Sequence, residues 1–162
     1  NVKLYLLADI PLFVIITSEL IKWKLPFFKV PAIMWVLYLG LYWIPFAFFI
    51  SIVESLMAFY NPSIIFEKAA IHAMALGYFL TLLVGFGTRV ILGHSGTTPH
   101  ANNFAIFIFI AIQLIALLRI FSSFTLNFGL DYMFFINLTA VLLIMGLLVW
   151  SSKYLTILIK GK

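Results

Sequence analysis

The stretch VPAIMWVLYLGLYWIPFAFFISIVESLMAFY, residues 30–60, carries one charged side chain, Glu54, in 31 positions. About 20 mostly apolar residues suffice for a helix to cross a bilayer. This run therefore exceeds one crossing, and Pro45 near its middle predicts a kink. Working outward, the same criterion selects residues 4–21 (broken by Asp9 and Pro11), 65–92, 102–121 and 132–158. The expected fold is all-α, a single polytopic transmembrane bundle of five helices spanning residues 1–162.

Composition agrees. The chain is 65% hydrophobic and 9% charged, with a mean hydropathy of +1.19, whereas a soluble domain carries about 25% charged residues. A soluble domain, a disordered tail and a nucleic-acid-binding module are excluded, and the lipid bilayer is the partner this composition demands. The absence of cysteine excludes disulfide scaffolds, iron–sulfur clusters, zinc fingers and thiol catalysis. The first residue is Asn and no basic-then-apolar leader is visible, so the chain reads as a processed or truncated product.

The connections are legible. Lys22-Trp23-Lys24-Leu25-Pro26 with Lys29 forms a basic, aromatic surface loop. Asn61-Pro62-Ser63 is a turn in which Ser63 is placed to cap the next helix, with Glu67 and Lys68 in its first turns. Gly93 through His100 is a polar break, and Ser122 through Gly129 a looser segment at the membrane interface. Five crossings put Lys22, Lys24, Lys29, Arg89, Lys153, Lys160 and Lys162 on one side and Lys3, Lys68 and Arg119 on the other. The basic excess predicts that the first side, with the C-terminus, is cytoplasmic. The formal net charge of +5 then reflects topology and headgroup contact.

Ionisable side chains inside a bilayer cost a few kcal/mol each, so each one asks for a reason. The segment 65–92 holds most of them. On it, Ala73, Gly77, Thr81 and Gly85 recur every fourth residue and form a small-residue ridge suited to a tight helix pair. His72 shares a face with Phe79, Leu83 and Phe86. It is either a hydrogen-bonded structural residue or a ligand, since imidazole is a usual donor to haem iron and to copper. Arg89 and His94 lie at the other end. From His72 to His94 is 22 residues, roughly 33 Å of helix, so the two cannot bind one metal ion. His94 and His100 flank a short loop and are either joint ligands of a surface metal or solvated imidazoles. Arg89 either snorkels or holds a phosphate, a carboxylate or a haem propionate. Glu54, Glu67, Lys68, Arg119 and Asp131 gather near the outer helix ends. They read as a charge-neutralised cluster tying those ends together, or else as polar access to a buried site. No phosphate-binding loop, His-Glu-x-x-His or Ser-His-Asp context is present, so no catalytic residue is nominated.

The run Ile71-His72-Ala73-Met74-Ala75-Leu76-Gly77, followed by Thr88-Arg89-Val90-Ile91-Leu92-Gly93-His94-Ser95-Gly96, resembles the NnrS family of bacterial membrane proteins. That family has a His-Ala pair near a helix start, a Gly five residues after the His, and an Arg-x-x-Leu-Gly-His-Thr-Gly run some way on. Leu118-Arg119 and Tyr154-Leu155-Thr156-Ile157-Leu158 also resemble its C-terminal pattern. The likeness covers residues 65–162, and Thr97 stands where the family usually has Arg.

The resemblance implies a multi-pass inner-membrane protein that contains haem and copper and is linked to nitric oxide metabolism and nitrosative-stress resistance. It implies that His72 is the first choice of haem or copper ligand and His94 the second, with Arg89 as propionate or structural anchor. It also implies that this chain corresponds to the C-terminal half of a full-length member, its site completed by a missing half or a second chain. Two other readings stand beside it: a cofactor-free accessory subunit of a larger respiratory membrane complex, and half of a transporter using Glu54, Arg89, Arg119 and Asp131.

Overall fold

The computed structural model describes residues 2–26, 29–96 and 98–160. Thr97 and Lys162, weighed above, lie outside the described residues. Among the described residues, five helices are long and apolar enough to cross a membrane: α1 (Val2–Trp23), α2 (Ala32–Tyr60), α3 (Ala69–His94), α4 (Asn103–Ser122) and α5 (Tyr132–Lys160). The chain is an all-helical, multi-pass membrane protein.

α1 runs unbroken through Asp9 and Pro11, correcting the expected break. The Asp9 carboxylate is satisfied from outside its own helix, by the Ser51 hydroxyl of α2 at 2.5 Å. Pro11 keeps a helical φ and removes one backbone hydrogen bond. In α2, Pro45 is buried inside the helix.

The start of α3 also differs from expectation. The helix begins at Ala69, with Lys68 at its N-cap making no side-chain cap bond, and the Ser63 hydroxyl bonds Asn61 instead. The segment before it is held elsewhere. Asn127 exchanges hydrogen bonds with the backbone N–H and C=O of Ile65 at 2.8 and 2.6 Å, and the Phe66 ring meets Phe124 edge to face. This clamp holds Glu67 and Lys68 at φ +30° and +62°. Side chains rarely adopt such φ values, and they persist only where the surroundings over-determine them.

α2, α3 and α4 form the core, with α1 packed on α2 and α5 on α4. One apolar cluster centres on Val36, Val84, Ile108, Phe109 and Tyr154. A second centres on Trp43, Ala69, Ala73 and Ala116. The outward faces of α1 and α5 stay open. At Asn102 the side chain caps α4 by accepting from the Ala105 N–H, as helix starts favour. The alternating helix directions place Lys22, Lys24, Lys29, Arg89, Lys153 and Lys160 at one end, here the basic end. Glu54, Glu67, His72, Arg119 and Asp131 lie at the opposite end.

Candidate functional site

The small-residue ridge is a helix contact, as expected. Ala73, Gly77, Thr81 and Gly85 are all buried, and they face α2. A Cβ on Gly77 would fall inside the indole of Trp43, and one on Gly85 would stand 2.8 Å from Val36 Cγ1. An every-fourth pattern drifts by about 40° per step on a helix of 3.6 residues per turn, which would carry the ridge away from its partner. The drift is countered because Ala73–Leu80 is an eight-residue π-helical segment inside α3. Its i→i+5 bonding winds more loosely.

A buried polar chain crosses the bundle at this segment. Trp43 Nε1–H donates to Gln113 Oε1 at 2.7 Å, and Gln113 Nε2–H donates to Thr81 Oγ1 at 2.7 Å. The Thr81 hydroxyl in turn donates to the Leu76 carbonyl at 3.4 Å. One residue from each core helix thus meets where π-helix returns to α-helix. Replacing Gln113 with Leu leaves the Trp43 Nε1–H without an acceptor in an apolar core, while Thr81 keeps its bond to the Leu76 carbonyl. Hydrogen bonds between membrane helices are worth about 0.6 kcal/mol on average, and an orphaned buried group costs about 1–3 kcal/mol. Gln113→Leu is expected to lower the unfolding free energy in detergent by about 1–3 kcal/mol. An unchanged denaturation midpoint would show the chain of bonds to be idle.

His72 sits at the head of the π-helical segment, four residues beyond left-handed Lys68. π-bulges and backbone strain both concentrate at functional sites. Its imidazole is half-buried and makes no hydrogen bond to any described residue. The charges acting on it are those of Arg119 and Lys68, both cations. Arg119 lies on α4, where its Nη1 donates to the Ser122 hydroxyl at 2.7 Å and that hydroxyl donates back to the Arg119 carbonyl.

The expected charge-neutralised cluster is not there. Among the described residues the one ion pair is Lys22–Glu19, at the basic end. At the opposite end the charge acting on Glu54 is the like charge of Glu67. Asp131 caps α5 by accepting from the Phe134 N–H. At that end Asn127 ties its segment to Ile65, while the buried Ser122, Ser123 and Thr125 hydroxyls bond carbonyls of their own segment.

At the basic end, Arg89, Gly93 and His94 line an open cavity of about 520 Å³ with Phe86, Val90 and Pro99. His100 is exposed and does not line it. The structure therefore joins Arg89 with His94 and leaves His72 at the far end of the same helix. Among the described residues, no three His, Asp or Glu side chains come together as a metal centre would need. Gln113 escaped the sequence reading, although a lone amide within the apolar run of α4 is a visible signal.

A five-helix bundle with a buried polar crossing and a π-helical segment in its third helix defines a polytopic membrane protein. The chain belongs to the NnrS family, whose sequence model (NnrS protein) matches residues 2–162. The match takes in the first 60 residues, which hydropathy alone had placed. No curated protein and no solved structure matches the chain.

Proposed function

We propose that this chain binds haem through His72 and serves nitric oxide metabolism or nitrosative-stress resistance in a bacterial inner membrane, with its basic end in the cytoplasm. Membership of the NnrS family supports the cofactor class, and the charge asymmetry supports the orientation. One observation carries the choice of His72. A structural imidazole in a bilayer is normally hydrogen-bonded, whereas this one has no hydrogen-bond partner among the described residues and heads a π-helical segment.

The surroundings fit haem better than a bare copper ion. A single axial imidazole suffices to hold haem iron. Arg119 and Lys68 suit the anionic propionates and repel a free cation. Copper needs further donors, which a second chain or the remaining half of a longer protein would bring. A haem bound there would supply the iron to which a small diatomic ligand binds. The chain's own contribution is to hold the imidazole at one depth and to exclude water with the surrounding apolar helices. Nitric oxide, small and apolar, reaches such a site through lipid. His94 and His100 remain candidates for a separate copper site at the basic end on the same family grounds.

The test is a visible spectrum, oxidised and reduced, with metal analysis of the same detergent-purified sample. A Soret band is the expected result. A flat spectrum without metal, together with co-purification of a cytochrome-containing complex, would instead establish the accessory-subunit reading. The open flanks of α1 and α5 favour that second reading, because each has only 6% of its spanning window buried.

A further inference from the structure

The geometry points to a binding site for an anionic phospholipid on the outer face of α3, headed by Arg89 and His94. It rests on Arg89 and His94 at the basic end and not on His72, which lies at the opposite end of the helix. The cavity that Arg89 and His94 line does not stop at the membrane surface. Phe86 and Val90 also line a second cavity of about 520 Å³, completed by Phe79, Leu82, Leu83 and Gly87. A recess headed by Arg89 and His94 at the surface therefore adjoins an apolar groove that runs along the same helix towards mid-membrane. That is the outline of an amphiphile, with its head at the basic end and a chain along α3.

The charge of the head follows from what surrounds it. Arg89 is exposed, and its one hydrogen bond among the described residues is from Nη1 to the Met34 thioether at 3.2 Å, a weak acceptor. The one acid at this end, Glu19, is already paired with Lys22 at 2.7 Å. A helix C-terminus ordinarily repels anions through its free carbonyls. Here Ser95 N–H caps Ile91, Ser95 Oγ–H caps Leu92 and Gly96 N–H caps Gly93. Backbone repulsion is reduced, and Arg89 and His94 both line the recess. A Cβ on Gly93 would meet nothing within 4 Å, so the recess is open to a bulky head. A guanidinium matches a phosphate bidentately, and a lipid headgroup or free phosphate would offer the same chemistry. The apolar groove selects the lipid.

The test is native mass spectrometry of the full chain in detergent, titrated with phosphatidylglycerol, with zwitterionic phosphatidylcholine of the same chains, and with inorganic phosphate as competitor. Phosphatidylglycerol should be retained in preference. Arg89→Gln should reduce that preference by about fivefold, the contribution of one basic residue at a membrane surface. Leu83→Trp, which fills the apolar groove, should weaken both lipids while leaving the head recess intact. His94→Gln is the second head variant should Arg89→Gln fail to fold. Equal retention of the two lipids would overturn the anionic assignment. Displacement by millimolar phosphate would reduce the site to a free-anion site and overturn the lipid. Unchanged binding in the Leu83 variant would remove the groove from the site.

Discussion

Gly77→Val is expected to prevent α3 from docking on α2, and to leave no monodisperse protein on size exclusion in mild detergent. Even the first carbon of the new side chain would lie within the Trp43 ring system, against its Cγ, Cδ2 and Cε3 atoms. These are ring atoms close to the backbone, so no flexible side-chain tip is available to swing aside. Trp43 itself is 7% exposed and tied through Nε1–H to Gln113, so moving the ring breaks the buried chain of hydrogen bonds as well. Overpacking a tight core costs about 1–3 kcal/mol, and the orphaned amide adds about 1–3 kcal/mol. Together these are a large fraction of the roughly 5–15 kcal/mol by which domains are stable. Gly77→Ala should show the same defect in milder form. Combining it with Trp43→Leu should recover part of the loss by removing the clash while leaving Gln113 Oε1 without its donor. A Gly77→Ala protein with an unaltered melting midpoint would mean that Trp43 does not sit where it is described.

The second large effect is on the cofactor. His72→Ala should abolish the Soret band of the purified protein while insertion and melting behaviour stay close to those of the parent. The imidazole is half-buried and has no hydrogen-bond partner among the described residues, so its removal leaves no buried group orphaned. Loss of iron ligation should therefore separate cleanly from loss of fold. Replacement with Met, a neutral ligand that also serves haem iron, should retain haem with a changed spectrum and a raised potential. Arg119→Gln should weaken retention without changing the axial ligand. An unaltered Soret band in His72→Ala would remove His72 from the site and direct attention to His94.

The all-helical class and the number of spanning helices were legible because hydrophobic length is a strong, local signal. The ridge of Ala73, Gly77, Thr81 and Gly85 was legible for a similar reason, since small residues at regular spacing permit close backbone approach. Three features were not. The π-helical segment leaves no composition signature; it reflects how α3 must wind to keep that ridge against α2. The left-handed Glu67 and Lys68 are imposed by Asn127, 60 residues further on, and so override the local capping pattern at Ser63. The acidic-end charges were read as mutual partners because their helix positions are similar. Their depth and rotation, which decide whether two side chains meet, are tertiary properties. Arg89 and His94 were legible as a motif, but the groove that continues their cavity depends on which face of α3 is left uncovered.

The bond between Ser51 and Asp9 bears on how the protein is made. A carboxylate about 10 Å along a membrane helix is a burden for α1 as it leaves the translocation machinery by itself. Its hydrogen-bond donor, Ser51, lies in the helix synthesised immediately afterwards. α1 and α2 therefore form a natural unit of insertion. α1 has reason to wait at the lateral exit until α2 arrives, and the pair enters lipid as a hairpin with its acid already shielded.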